Sequence, residues 1–197
     1  MQIIDNPNKK DWSGILKRPT QTVDDIEATV NQIFDEVMHK GDEAIKKYTS
    51  YFDGILLENN LVTEEEIKIA VAKVSPELKK AIKQAKGNIE AFHKAQKTPK
   101  VSIETTAGVR CWQEKRPIEK VGLYIPGGTA PLFSTVLMLA VPAQIAGCME
   151  IVLCTPPNKE GTIASEILFA AQLCGISKIV KVGGIQAIAG LTCGTNS

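Results

Sequence analysis

The sequence predicts an α/β protein in which a mainly helical region, residues 1–99, precedes a parallel-sheet lobe, residues 100–197. Three observations lead there. Charge is lopsided, since 32 of the first 100 residues are Asp, Glu, Lys or Arg against 13 of the remaining 97. All five Cys and eleven of the fifteen Gly fall in the second half, as expected of a buried, turn-rich core. The apolar period also changes at Pro99, from helical to alternating, and then settles into short apolar runs separated by helical patterns.

The first helix is predicted from a capping box, Thr22-x-x-Asp25, followed by Ile26, Val30, Ile33 and Val37 on one face. Gly41 ends it. A second runs from Asp42 to Phe52 and closes at Asp53-Gly54; Thr63-x-x-Glu66 caps a third, with Ile67, Ala70, Val71 and Val74 facing inward. Glu64, Glu65 and Glu66 place favourable charge in its first turn. Ser75-Pro76 opens a fourth, with Ser at the N-cap and Pro at the first helical position. Its stripe is Leu78, Ala81, Ile82, Ala85, Ile89 and Phe92, and Pro99 stops it. Narrow apolar stripes on charged helices suit an arm that packs on something larger, either its own second half or another subunit.

VSIETT and GVRCWQEKRPI read as a hairpin around Ala107-Gly108. From Lys120 three strands alternate with helices: VGLYI with a helix near 134–146, EIVLC with one near 162–173, and KIVKVGG with QAIAGL. This βαβαβα series predicts an incomplete Rossmann-like sheet, covered by helices on both faces and joined by right-handed crossovers. Ligands of such sheets bind beyond the C-terminal strand ends. Tyr124-Ile125-Pro126-Gly127-Gly128, Thr155-Pro156-Pro157 and Gly183-Gly184-Ile185-Gln186 all stand at that edge.

Composition narrows the partners. A net charge of +1 with no basic block argues against nucleic acid, and no apolar run approaches the ~20 residues of a membrane helix. Without an apolar leader after the N-terminal MQIIDNPNKKDW, a cytoplasmic protein is expected. The cysteines (Cys111, Cys148, Cys154, Cys174, Cys193) are odd in number and contain no C-x-x-C pair, so reduced and mostly buried thiols are expected.

Gly127-Gly128 permits close backbone approach and positive φ, and a helix N-terminus after it offers N–H groups to an anion such as a pyrophosphate. The spacing is not G-x-G-x-x-G, and a Gly-Gly turn after a strand is more often a tight connection. Tyr124 suits stacking on a base or bonding a ribose, but equally a core position with its hydroxyl at the rim. Gln186 offers both amide groups to a cofactor; its blander role is helix capping and solvent contact. His39 and His93 each lie beside a Lys and read as solvated surface groups. The chain shows no H-E-x-x-H, no nucleophile elbow around Ser134-Thr135 and no acid–base pair.

The run VGLYIPGGTAPLFSTVLMLAVPAQIAGCMEIVLCTPP closely resembles the histidinol dehydrogenase family. AAQLCGISKIVKVGGIQAIAGLTCGT resembles that family's next segment and HKGDEAIKKYTSYFDG its opening, so the likeness covers nearly the whole chain. The resemblance implies an aldehyde/histidinol dehydrogenase-like fold and a cytoplasmic homodimer that uses NAD and zinc to oxidise L-histidinol through L-histidinal to L-histidine. Carried over residue by residue, the family's cofactor-binding Tyr and Gln fall on Tyr124 and Gln186, with Pro126, Gly127 and Gly128 as the approach loop. The family runs about twice as far. Its zinc ligands, its Glu-His base pair, most histidinol contacts and a further Asn of the cofactor site are expected beyond residue 197. No catalytic or metal residue is therefore expected within this chain, and the chain alone is expected to be inactive. Ile185 and Cys193 replace the family's usual Ala and aromatic. A related alcohol dehydrogenase of the same fold, or an inactive assembly module docking through the charged helices, are the alternative readings.

Overall fold

The structure, a computed structural model, describes residues 3–17, 23–128 and 130–196. The chain divides into two compact units, Met1–Gln32 and Ile33–Ser197. In the first, a 3-10 turn at Lys9–Asp11 leads into a short helix α1 (Trp12–Ile15), and Trp12 Nε1 donates to the Pro7 carbonyl across 3.2 Å. Four residues are too few to show a period, so no pattern in the sequence announces this helix. Helix α2 (Val23–Lys40) begins in the first unit and runs into the second. The capping box expected at Thr22 and Asp25 lies outside the described residues. Ile33 and Val37 are buried as expected, while Ile26 is exposed.

In the second unit the local signals are realised. Gly41 adopts a positive φ of 53° before α3 (Asp42–Asp53), which Gly54 closes in the left-handed region. In α4 (Glu64–Lys73) the capping box is complete. The Glu66 N–H donates to Thr63 Oγ1, and the Glu66 carboxylate accepts from the Thr63 N–H. Ser75 Oγ accepts from the Leu78 N–H at the head of α5 (Pro76–Ala95), where Pro76 sits at the first helical position. Ile82 is fully buried on that helix. Phe92 and Ala81, expected on the same stripe, are exposed because α5 meets its neighbours over a narrower band centred on Ile82. The hairpin pairs β1 (Ser102–Thr106) with β2 (Val109–Trp112), turning at Gly108 with φ 83°, and every residue of both strands is exposed.

The parallel sheet has the order β3 (Lys120–Tyr124), β4 (Glu150–Thr155), β5 (Lys178–Lys181), joined through α6 (Phe133–Ala146) and α7 (Ser165–Leu173) and followed by α8 (Gly184–Cys193). Side-chain alternation sorts the strands onto two cores. Leu123, Ile125, Leu153 and Ile179 pack with α4, α5, α6 and α7. Tyr124, Val152, Cys154, Val180 and Val182 face the other way, toward α3, α8 and the end of α2. Helices thus cover both faces, and the charged helices from α3 onward pack against the chain's own second half. No charged residue occurs between Lys120 and Glu150, so α6 is uncharged throughout and mostly apolar.

The outer edge of β5 is not bare. The Val62 N–H donates to the Ile179 carbonyl (2.9 Å) and the Lys181 N–H to the Asn60 carbonyl (2.7 Å), an antiparallel bridge centred on Leu61 and Val180. At the opposite end of the strands Glu150 pairs with Lys178 (2.6 Å) and Lys120 (3.4 Å), linking all three. Hydrogen bonds from Lys178 and then Lys120 hold its carboxyl below the usual range. Among the described residues no helix is long and apolar enough to cross a membrane.

Candidate cofactor-binding edge

The loops after β3, β4 and β5 meet at the C-terminal edge, and Pro156 is where they touch. Its Cγ lies 2.6 Å from where a Cβ on Gly127 would stand, and its Cβ lies 2.6 Å from the same point on Gly183. Both glycines are therefore needed for room: each lets its backbone press on one side of the same ring. Neither Gly127 nor Gly128 takes the positive φ that the sequence allowed. Gly128 faces open space, and residues 129–132 separate it from α6. Pro126, Gly127 and Gly128 are all exposed.

Gly184, with φ 64°, is the residue that uses left-handed backbone here, and it opens α8. Its N–H donates to Tyr124 Oη across 3.1 Å, joining the end of β3 to the first turn of α8 over the top of β4. A Cβ at Gly184 would also stand 2.7 Å from Gln186 Oε1. Tyr124, Gly184 and Gln186 thus form one group. Tyr124 is half-buried, its ring packed on the core of the α3–α8 face.

Gln186 departs from its bland reading. It is 0% exposed, so it has no solvent contact, and neither its Nε2 nor its Oε1 has a hydrogen-bond partner. Leaving a buried polar group unpaired costs about 1–3 kcal/mol, so the amide stands as a donor and an acceptor in want of partners. The first turn of α8 carries no acidic residue, and apart from the Tyr124 hydroxyl on the Gly184 N–H no side chain caps it, so its positive end favours an anion.

One ion pair behind this edge was not found from sequence. Lys181, only 7% exposed, donates to Glu66 Oε1 at 2.8 Å. Burial by itself would raise Glu66, but hydrogen bonds from Lys181 and Thr63 outweigh it and hold the carboxyl below its usual range. The cysteines are not mostly buried. Cys154 and Cys174 are, while Cys111 and Cys193 are exposed. A small apolar side chain on an edge hairpin or a helix end has no core to enter. Burial pushes the Cys154 thiol up to about 12. His39 is exposed and His93 half-exposed, both far along the chain from this edge.

Residues 16–197 match the profile of the histidinol dehydrogenase family. The chain belongs to that family. It is 55% identical over its full 197 residues to histidinol dehydrogenase of Bacteroides thetaiotaomicron, covering 46% of that protein. Against histidinol dehydrogenase of Escherichia coli it is 54% identical over 184 residues, 93% of this chain and 42% of the relative. The crystal structure of histidinol dehydrogenase from Elizabethkingia anophelis superimposes with a TM-score of 0.88 at 50% identity, covering 97% of this chain and 44% of that one. The chain thus spans about half the length of the curated histidinol dehydrogenases it matches.

Proposed function

We propose that this chain is the N-terminal part of an NAD-dependent, zinc-requiring histidinol dehydrogenase, cytoplasmic and homodimeric when complete. It would oxidise L-histidinol through L-histidinal to L-histidine, the closing steps of histidine biosynthesis. The observation that carries this reading is the family match over residues 16–197; the share of the work given to this chain, holding NAD, is supported by the unpartnered buried amide of Gln186 beside the Tyr124–Gly184 bond.

Those residues fit a dinucleotide. Gln186 offers a donor and an acceptor already desolvated, so pairing them with ribose or amide groups recovers what burial has cost. Tyr124 Oη accepts from Gly184 and keeps its own proton to donate outward. Gly127 and Gly128 let the cofactor approach the backbone, and the head of α8 faces its negative charge. When bound, NAD supplies the hydride acceptor; the task of this chain is to hold and orient it.

Among the described residues no three His, Cys, Asp or Glu come together to hold a metal ion. The zinc ligands, the base that takes the carbinol proton and the histidinol contacts are assigned to the protein beyond residue 197. The test uses the complete protein encoded by the source gene, supplied with L-histidinol and NAD. Histidine should accumulate with two NADH formed for each. Absence of histidinol-dependent NADH would remove the dehydrogenase reading.

A further inference from the structure

We infer that Glu66 is a positioning residue for the cofactor edge, acting through Lys181 on the turn that presents Gly184 and Gln186. The inference rests on the reading of that edge as the NAD site.

One carboxylate holds two elements at once. Glu66 Oε2 accepts from the Thr63 N–H (2.8 Å) and from Thr63 Oγ1 (3.1 Å), closing the head of α4, while Oε1 accepts from Lys181 Nζ. Lys181 is the last residue of β5, and Val182, Gly183 and Gly184 follow directly. Its main chain is fixed as well, since its N–H donates to the Asn60 carbonyl three residues before Thr63. Side chain and main chain of Lys181 are therefore both held by the same short segment, 60–66.

A buried ammonium with one carboxylate partner does not remain in place once that partner loses its charge. An uncompensated buried charge is strongly unfavourable, so the side chain must swing toward water. Beyond Lys181 the turn has little freedom to absorb such a shift. Gly183 is in close contact with Pro156, Val182 is buried, and the Gly184 N–H is engaged by Tyr124. A shift of β5 would be passed to the Tyr124–Gly184 bond and to the Gln186 amide two residues on. Glu66 and Lys181 are 115 residues apart in sequence and bond at the head of α4, which packs on the face of the sheet opposite to Tyr124, so their effect should fall on cofactor affinity and not on the chemistry.

Glu66→Gln is the suitable variant, because Gln at this position keeps a capping box while removing the charge that Lys181 needs. In the complete protein, we expect KM for NAD to rise about 5- to 20-fold, the range of a lost charged hydrogen bond transmitted in part. The KM for L-histidinol and kcat should stay within about twofold of the unaltered enzyme, since the change is in cofactor binding. Ser75→Ala, which removes the cap of α5 and touches nothing on β5, serves as control: it should lower Tm and leave both KM values alone. Should Glu66→Gln fail to fold, Glu66→Asp, which keeps the charge but withdraws it by one methylene from Lys181, takes its place with the same readout at smaller amplitude; Glu66→Gln with Lys181→Met leaves no uncompensated charge and should bring KM for NAD back toward that of the unaltered enzyme.

A rise confined to KM for NAD supports the proposal. A Glu66→Gln enzyme that, like Ser75→Ala, loses Tm alone, or in which both KM values rise together, overturns it. Gln186→Ala separates the two layers. If that variant raises KM for NAD and Glu66→Gln does not, only the positioning role fails; if Gln186→Ala is also without effect, the cofactor reading beneath it fails first.

Discussion

The N–H of Gly184 donates to Tyr124 Oη across 3.1 Å, a bond between two strand-end loops separated by 60 residues of sequence. It closes the C-terminal edge of the sheet above β4 and, with the oxygen accepting, leaves the phenol's own proton free to donate. Tyr124→Phe removes the acceptor and that outward donor together while keeping the ring. The loss of one ordinary hydrogen bond corresponds to about 0.5–1.5 kcal/mol. Binding of NAD, followed by calorimetric titration, should weaken by up to about tenfold, with Tm only slightly lowered.

Pro156 makes a sharper test of the same edge. Gly127→Ala would bring a methyl against Pro156 Cγ, and Gly183→Ala would bring one against Pro156 Cβ. Each should lose about 1–3 kcal/mol of stability through overpacking. Pro156→Ala deletes Cγ and retains Cβ. It should therefore rescue Gly127→Ala in a double-mutant cycle and fail to rescue Gly183→Ala, as read from chemical denaturation.

Two carboxylates are expected to give stability slopes of opposite sign. The folded pKa of Glu66 is depressed, so its contribution is fully present above the unfolded value near 4.5 and is lost as pH falls through the lower folded value. Burial raises Asp53 above 3.8, and its Oδ2 has no hydrogen-bond partner, so the folded state binds a proton more readily than the unfolded one. Its penalty is absent in acid and grows as pH rises through the folded value. At neutral pH Asp53→Asn should raise Tm and Glu66→Gln should lower it, and both differences should shrink as pH falls below about 4.

Thiol reactivity should follow exposure. Cys111 and Cys193 should label quickly with a maleimide under native conditions, read by peptide mass. Cys154, with its thiol held near 12 by burial, should remain unlabelled until the protein unfolds.

What was legible in the sequence was what is local. Thr63 and Glu66 lie three apart and form their box, Ser75-Pro76 starts α5, and Gly54 ends α3, because each signal concerns a single turn of backbone. The alternation of strands and helices likewise fixed the parallel sheet. Phe92 failed because a helical stripe says which face turns inward but not how far the neighbouring helix extends to cover it. Of the two readings of Gln186 the one near solvent does not hold; its burial follows from α3 packing on α8, where Ile45 Cδ1 lies 2.9 Å from where a Cβ on Gly190 would stand. Lys181 ends a strand, and nothing in the sequence at that position announces a partner on α4. Pro156 reads as a turn residue until Gly127 and Gly183 are seen against its two sides. Tyr124 and Gln186 were candidates from their place at the strand ends, and the resemblance chose between their readings, while their grouping with Gly184 is tertiary.

The central claim, that the Tyr124–Gln186 edge receives NAD, is tested most directly by the dissociation constant of the complete protein for NAD before and after Gln186→Ala. Leaving the ligand's polar groups without the buried amide should weaken binding by about tenfold or more, with little change in Tm. Equal affinity in the two proteins would contradict the account.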